Sequence, residues 1–250
     1  MKKSKALNIV APVVAVILIV LVWEILVKSM NISEKLIPAP SAIWTSLLEN
    51  FSTIILPDML SSIQNIIEGY VIAVPIAFVL AAVCSQFKLV TRAVTPLLVI
   101  LMITPMSTLV PIFKLNMGIS PSLKLLVIVL QVTPVIALNS LSGFANPPEK
   151  NVTVLKGMGC KRWQIFFRCV FPNALPQVFT GLELGCILGT IASMGADIAV
   201  GQGGLGYRIS VYASFAATPS AFATILMAAL VGVVLFEIVS IIEKRIINWK

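Results

Sequence analysis

Side chains that could carry covalent chemistry are few in this 250-residue sequence. It contains no histidine, so neither imidazole acid–base catalysis nor a histidine metal site has a residue to build on. The acids Glu68, Glu183 and Asp197 are scattered, and no G-x-x-x-x-G-K-[ST] loop is present to hold ATP. The cysteines lack the spacing of a zinc site or a disulfide framework; they are Cys84, Cys160, Cys169 and Cys186. We therefore expect no catalytic residue, no metal and no cofactor in this chain.

Polar side chains inside long apolar stretches are the other chemical signal. They are costly in lipid, so they usually face a water-filled cavity or a protein partner. Pro105 and Pro111 free backbone carbonyls, which are tolerated only beside protein or water. We interpret these side chains as lining a pathway for a solute, with hydrogen bonding between helices as the alternative. The predicted pathway residues are Thr104, Ser107, Thr108, Lys114, Asn116, Gln131, Thr133, Ser193 and Asp197.

Lys114 and Asn116 stand directly after the apolar stretch that contains Pro105 and Pro111. A cation and an amide at the mouth of a pathway would attract an anion such as a sulfonate or a carboxylate. The alternative is that Lys114 extends its ammonium group to the membrane interface while its carbon chain stays in lipid.

Composition places these residues in a membrane protein. Hydrophobic residues make up 58% of the chain and charged residues 11%, which is too few to cover a soluble surface. The net charge of +8 is concentrated in short segments between apolar spans, so it does not indicate nucleic-acid binding. We predict an all-α integral membrane protein with one domain over 1–250 and about six transmembrane helices. The predicted spans are 9–27, 63–83, 94–113, 123–141, 178–200 and 221–242.

The first span resembles a signal peptide at its start, but it is too long and lacks a small-residue cleavage site, so we interpret it as a membrane anchor. Lysine and arginine are concentrated on one side, which predicts that both termini are cytoplasmic. On the outer side we expect an amphipathic segment over 29–62, with a short helix capped by Ser41, and a glycine-rich turn that begins at Gly201.

The central loop, residues 146–176, is a charged island between apolar spans, and its basic excess makes it cytoplasmic. Its pattern predicts a short helix from Glu149 to Lys156, a glycine turn, and a second helix that Pro172 and Pro176 end. The second helix would carry one aromatic face; the residues of that face are Trp163, Phe166, Phe167 and Val170. Such a unit would present a knob to a cytoplasmic partner, or it would lie as an ordinary amphipathic helix on the bilayer surface.

This loop resembles the cytoplasmic signature of binding-protein-dependent ABC importer permeases: E-A-A, three residues, Gly, nine residues, I-x-L-P. With Gly159 as the anchor, Thr153, Val154 and Leu155 occupy the E-A-A positions and Pro172 the final proline. The glycine and proline are kept and the acidic residue is lost. The resemblance implies that the loop couples to an ATPase. The residues implied are Glu149, Thr153, Val154, Leu155, Lys156, Gly157, Met158, Gly159, Trp163 and Pro172.

Three further features resemble the nitrate, sulfonate and taurine branch of that family. They are G-x-x-[KR]-W-Q at 159–164, P-x-A-L-P at 172–176, and G-L-G-Y at 204–207, which follows an acidic residue, Asp197. The segment LIPAPSAIWTSL and the third-span prolines with Gly118 also fit, so the resemblance runs from about Leu36 to Trp249.

The resemblance implies the type I importer permease fold, a location in the bacterial inner membrane and a set of partners. Two permease subunits, as a homodimer in the simplest case, would form the path. Two ABC ATPase subunits would bind ATP and the loops, and an extracytoplasmic binding protein would deliver a small, anionic solute. A thiamine-precursor pyrimidine is an alternative solute. A non-transporting membrane scaffold or a membrane enzyme is the alternative of a different class, which the scattered acids disfavour.

Overall fold

The computed structural model describes the backbone of residues 2–247 and, apart from residues 2–10 and 12, their side chains. The end of the predicted resemblance, at Trp249, lies outside the described residues. No strand occurs among residues 2–247. The helices are α1 Lys2–Ser29, α2 Pro40–Asn50, α3 Leu56–Gln86, α4 Lys88–Ile103, α5 Val110–Met117, α6 Pro121–Ala145, α7 Glu149–Gly157, α8 Arg162–Ile165, α9 Phe171–Val200, α10 Leu205–Ser214 and α11 Thr218–Ile246.

Helices α3, α6 and α9 form the centre of the bundle. The side of α3 that meets α6 carries a small residue at every fourth position, from Gly69 through Ala73 and Ala77 to Ala81, and all four are buried. A Cβ on Gly69 would lie 2.6 Å from Cγ2 of Ile128 in α6. In lipid, helices associate largely by close packing, so a seam of small residues brings the two backbones together.

The contact between α6 and α9 is built in the same way. Gly181, Gly185 and Gly189 repeat every fourth residue along α9. A Cβ on Gly181 would lie 2.8 Å from Cβ of Asn139, and a Cβ on Gly185 would lie 3.2 Å from side-chain carbons of Ile136 and Tyr70. Since both seams face α6, this helix is the most enclosed in the bundle, and most of its side chains from Leu123 to Phe144 are buried.

The remaining helices pack around this centre. Helices α2, α10 and α11 share an apolar cluster with α3 that includes Ile43, Ile66, Leu205 and Val231. Helix α4 packs on α6 and α3, and α5 packs on α6 and α9. Helix α1 contacts α2, and Trp23 in α1 meets Phe222 in α11 with ring centroids 6.3 Å apart.

Within the described residues, four helical segments are long and apolar enough to cross a membrane: Pro40–Gln86, Pro121–Ala145, Arg162–Val200 and Thr218–Ile246. Helix α4 and residues 106–117 make a fifth if this pair, bent by 83°, counts as one span. The all-helical membrane class is therefore confirmed. The anchor predicted over 9–27 falls within α1, and its crossing of the membrane stays a prediction.

The predicted start of the short helix is wrong. A π turn over Phe51–Ile55 also joins α2 directly to α3, and Pro57 lies in the first turn of α3. Ser41 does not cap α2, because Ala39 is the N-cap. Ser41 instead donates its N–H and its hydroxyl to the Glu24 carboxylate of α1, at 2.9 and 2.7 Å. Proline at the first position of α2 needs no N–H partner, so the helix starts two residues earlier in the chain than predicted.

The third predicted span, 94–113, is not one helix. Helix α4 ends at Ile103, a short 3₁₀ turn covers Met106–Leu109, and α5 follows. Thr104 has extended backbone angles, as expected for a residue that precedes a proline. The pattern of apolar residues continues through the break, and this is why the sequence predicts a single span.

Candidate functional site

The central loop begins with α7, none of whose side chains is buried. The helix ends in a Schellman motif: the N–H of Cys160 donates to the carbonyl of Leu155 and the N–H of Gly159 to that of Lys156, both at 3.0 Å. Gly159 has φ +76°, the left-handed conformation that glycine adopts at least cost. The predicted sharp turn is therefore present. Gly157 is still helical, so only Gly159 supplies the special conformation.

The second half of the loop begins at Lys161, whose backbone N–H donates to the side-chain carbonyl of Gln164 at 2.7 Å. This bond satisfies one of the backbone donors that a helix start leaves free. It gives Gln164 of the G-x-x-[KR]-W-Q segment a structural role that the sequence analysis missed.

The predicted single aromatic face is divided in the structure. Phe166 points inward and meets Phe144 of α6 edge to face, with ring centroids 5.1 Å apart. Trp163 and Phe167 remain 61% and 63% exposed. The division arises because residues Phe166–Val170 form a π turn, which rotates neighbouring side chains away from the positions of a regular α-helix.

The prediction that Pro172 and Pro176 end the second helix is wrong. The helical segment continues from Arg162 to Val200. Pro172 lies in the first turn of α9 directly after the π turn, where its missing N–H costs little. Near it, the side-chain amide of Asn173 donates to the Cys169 carbonyl at 2.7 Å, and Thr180 donates to the Pro176 carbonyl at 3.0 Å. Each of these bonds runs from a side chain to the carbonyl four residues earlier in the helical segment.

The loop presents most of its predicted coupling residues to the outside. Val154 and Met158 are 61% and 73% exposed, while Leu155 and Pro172 are half-buried. A cleft of about 310 Å³ separates α7 from the π turn, between Leu155 and Arg168. The other exposed members of the predicted set are Glu149, Thr153, Lys156, Gly157, Gly159 and Trp163. The structure brings the whole set together at one end of the bundle.

The predicted pathway residues fall into three groups. The first is at the break between α4 and α5, where Gln131 of α6 accepts from the Met106 N–H at 3.2 Å and donates to the Met102 carbonyl at 3.5 Å. Thr104 and Thr108 donate to the carbonyls of Ile100 and Pro105, at 2.8 and 2.7 Å. Polar side chains thus satisfy the backbone of the broken helix, which is the condition for irregular backbone within a membrane.

The second group is packed inside the bundle. Ser107 lies against α9, where a Cβ on Gly195 would be 2.5 Å from Cβ of Ser107. Thr133 and Ser193 are buried, and within the described part of the chain their hydroxyl oxygens have no hydrogen-bond partner. These side chains are packed between helices in this conformation and do not line an open surface.

The third group lies near the ends of α5 and α9. The Lys114 ammonium donates to the carbonyl of Val200, the last residue of α9, at 3.3 Å. A cation at the C-terminus of a helix also interacts favourably with the helix dipole. Asn116 donates to the Ile112 carbonyl at 3.2 Å and is exposed.

Asp197, which the sequence analysis placed in the pathway, is completely buried in an ion pair. One carboxylate oxygen is 2.7 Å from the Lys124 ammonium, and the other accepts from the Ser62 hydroxyl at 2.9 Å. Lys124 also donates to the carbonyls of Gln202 and Gly203, at 2.5 and 2.8 Å. Asp197 is therefore not exposed to a solute in this conformation.

A second acid extends this network to α10. Asp58 of α3 accepts from the N–H of Gly204 at 3.2 Å and from Nε of Arg208 at 2.6 Å. The Ser62 hydroxyl accepts from the N–H of Leu205 at 2.9 Å. Side chains of α3 thus cap the N-terminus of α10, where free N–H groups favour negative charge. We call Asp58, Ser62, Lys124, Asp197 and Arg208 the outer cluster.

The sequence analysis missed four members of the outer cluster: Asp58, Ser62, Lys124 and Arg208. A signal was present, since a lysine and an aspartate both inside apolar stretches are each costly and favour pairing. Their separation of 73 residues gives no register that would identify the pair. In the described part of the chain, no three His, Cys, Asp or Glu side chains are grouped to hold a metal ion.

Comparison with known proteins identifies the class of this arrangement. Residues 73–248 match the family described as "Binding-protein-dependent transport system inner membrane component". The formylaminopyrimidine transport permease protein ThiX of Halalkalibacterium halodurans is 25% identical over 96% of this chain and 95% of its own length. The nitrate import permease protein NrtB of Synechocystis is 21% identical over 96% and 90%. The taurine transport system permease protein TauC of Escherichia coli is 25% identical over 56% and 50%.

Proposed function

This chain belongs to the family of binding-protein-dependent transport system inner membrane components, and we propose that it is the membrane subunit of an importer whose central loop couples transport to a separate ATPase. The observation that carries the coupling role is the shape of the loop. A helix without buried residues is held by one glycine turn against a second helix, and the second helix runs on into the most central contact of the bundle.

The continuity of the second helix supports its role as a rigid lever that transmits a movement of the central loop into the bundle. Residues Arg162–Val200 form one helical segment that extends from the central loop to Asp197 in the outer cluster. A displacement of α7 by a partner would move α9 as one continuous segment, and α6 with it, because the glycine seam packs the two helices tightly together. The partner would thereby shift the equilibrium between two arrangements of the bundle. ATP binding and hydrolysis are assigned to the partner.

For the path, we propose the region of the broken helix. Thr104 and Thr108 lie at the break between α4 and α5, and Asn116 lies at the end of α5 with an exposed side chain. The remaining predicted residues hold these pieces in place: Gln131, Ser107, Thr133, Ser193, Lys114 and Asp197. A second copy of the chain would complete the path, and a binding protein would deliver the solute to the end that carries the outer cluster.

Two solute classes are proposed. The first is a small anion, such as taurine, another sulfonate or nitrate, which family likeness supports. The second is a neutral pyrimidine of the formylaminopyrimidine type. It is favoured by the engagement of the lysines, since Lys114 donates to a backbone carbonyl and Lys124 pairs with Asp197. The Lys124 ammonium is thereby fully occupied, with two carbonyls as its further partners, while that of Lys114 has one partner at 3.3 Å.

The test is uptake by bacterial cells that lack the gene for this chain, complemented by the intact chain or by Gly159→Val at equal expression. Labelled taurine, nitrate and formylaminopyrimidine are supplied separately. Uptake of one of them that requires the intact chain and is lost with Gly159→Val supports the proposal. Complete absence of uptake, with the ATPase and a binding protein both shown to associate, would leave the scaffold alternative as the better account.

A further inference from the structure

A groove runs along the surface beside the central loop. It consists of two adjoining cavities of about 430 and 330 Å³ that share Ala82, Phe166 and Phe167. One side is the C-terminal part of α3, and the other is the segment from Arg162 through the π turn. We call it the interfacial groove.

The sequence explains why this groove is open. Phe78, Ala82 and Gln86 follow each other at intervals of four along α3, so a small residue stands between two larger ones on the same side. Across the groove, the rings of Phe166 and Phe167 are perpendicular at a centroid distance of 5.3 Å. Phe166 is held against Phe144, and this leaves Phe167 as an exposed aromatic wall.

The groove changes character along its length. At one end Val79, 62% exposed, opens it to the apolar perimeter of α3. At the other end Arg162 and Gln86 provide polar groups beside the exposed ring of Trp163. Among residues 2–247, no carboxylate lies within ion-pair distance of Arg162. Tryptophan and basic residues at the end of an apolar stretch are typical of the membrane interface.

We propose that the interfacial groove binds an anionic phospholipid, with an acyl chain along Val79, Ala82 and Phe167 and the phosphodiester group at Arg162. Charge complementarity selects this occupant, because an unpaired guanidinium group binds a phosphate through two parallel hydrogen bonds. The lateral opening at Val79 selects a lipid over a soluble anion. Because the same residues form the second helix of the central loop, the bound lipid stabilises that helix where it enters the membrane.

The test uses tryptophan fluorescence of the full chain in lipid vesicles. Trp23, Trp44 and Trp249 are replaced by phenylalanine, so that Trp163 is the only emitter. The background vesicles consist of ordinary phosphatidylcholine. Two titrations add a lipid with brominated acyl chains, which quench nearby tryptophan: brominated phosphatidylglycerol in one and brominated phosphatidylcholine in the other. One basic residue at a membrane surface contributes about fivefold to the binding of an anionic lipid. We expect brominated phosphatidylglycerol to be preferred by about that factor.

Three variants locate the site. Arg162→Gln should remove the preference for phosphatidylglycerol. Arg168→Gln, the matched control, removes the same charge from the same helical segment but faces the cleft of α7, and it should keep the preference. Ala82→Phe should fill the groove and reduce quenching by both lipids, and an unchanged circular dichroism spectrum and elution volume would establish that it is folded.

Equal quenching by the two lipids in the parent chain would overturn the proposal. An unchanged preference in Arg162→Gln would overturn it as well, since the headgroup would then be bound elsewhere. If the purified ATPase abolishes quenching when it binds, the groove is a contact between subunits and not a lipid site. None of these outcomes depends on transport activity, so they leave the proposed function to its own test.

Discussion

At the scale of single residues, Gly159 fixes the shape of the central loop. Its φ of +76° costs a residue with a Cβ about 1–2 kcal/mol. Gly159→Ala should therefore lower the stability of the loop by about that amount, and Gly159→Val by more, with uptake uncoupled from ATP hydrolysis. The measurement is the ratio of solute imported to ATP hydrolysed in reconstituted vesicles.

Gly157 provides the control, because it lies in the last turn of α7 with an ordinary helical conformation and open space where a Cβ would be. Gly157→Ala should be neutral or stabilising by up to about 1 kcal/mol. Equal effects of the two alanine substitutions would show that the left-handed turn is not what the loop requires.

Lys124 and Asp197 allow a second prediction at this scale. Removal of one partner of a buried ion pair costs about 3–5 kcal/mol because the other charge is left buried and unpaired. Lys124→Met and Asp197→Asn should each lower the thermal stability of the purified chain strongly. The double variant should lose less than the sum, although the carbonyls of Gln202 and Gly203 lose their donor.

The pair of Lys28 and Glu24 is the matched control, since the Lys28 side chain is 63% exposed. An exposed ion pair contributes about 0–1 kcal/mol, so Lys28→Met should change stability little. If the stability lost in the double variant equals the sum of the losses in Lys124→Met and Asp197→Asn, the two side chains are not coupled as the 2.7 Å distance implies.

At the scale of helices, the glycine seam of α9 sets the distance to α6. Gly185→Leu would place a branched side chain against Ile136 and Tyr70, where even a Cβ would be in tight contact. Overpacking of this kind costs about 1–3 kcal/mol or more. We expect a large loss of folded protein, measured as the monodisperse fraction after detergent extraction.

Ile191→Phe is the comparison for that experiment, because it also adds volume to α9 but at a position that is 61% exposed. It should leave the yield of folded protein unchanged. A similar loss in both variants would indicate that α9 tolerates no enlargement at all, and the seam would then have no special role.

Helix α7 is expected to contact the ATPase through its exposed side. A cysteine introduced at Val154 or Met158, in a chain whose native cysteines are replaced by serine, should form a cross-link to the ATPase. Phe215, 79% exposed at the opposite end of the bundle, gives the control cysteine and should form none. If neither loop cysteine forms a cross-link to the ATPase in an intact complex, with or without ATP, this side of α7 is not the contact surface.

The sequence predicted the positions of helices and turns well where the signal lies in neighbouring residues. Apolar runs located the helices, and Gly159 located the turn. It failed at Pro172, because the preceding π turn over Phe166–Val170 is not visible in a hydrophobic pattern. It also failed at the 83° bend after α4, where the apolar run continues while Thr104 and Pro105 change the backbone direction.

At the scale of the whole molecule, the two ends of the bundle differ in composition. One end carries the central loop and the C-terminus of α11, and the other carries the outer cluster and α10. The orientation predicted from lysine and arginine places the first end in the cytoplasm. The sequence could identify single members of the outer cluster, such as Asp197, but not the cluster, because its members come from α3, α6, α9 and α10 and meet only after the bundle has formed.

This orientation can be tested with a membrane-impermeant thiol reagent. A cysteine at Phe215 should react in intact cells from which the outer membrane has been removed. A cysteine at Met158, 73% exposed, should react only after the cells are opened. The reverse pattern would mean that the chain is inserted with the central loop outside and would contradict its contact with a cytoplasmic ATPase.

The ion pair between Lys124 and Asp197 also has a consequence for synthesis. Lys124 lies near the start of α6, and its partner is 73 residues later in the chain. At bacterial translation rates the ribosome needs roughly 4–15 s to cover that distance. During this interval α6 meets the translocon with an unneutralised lysine, but this lysine is in the first turn of α6, so its cost is below the roughly 2.5–3.5 kcal/mol of a helix centre. We expect Lys124 to extend its ammonium group to the membrane interface until α9 arrives, so a nascent chain that ends before Asp197 holds α6 with this end unanchored.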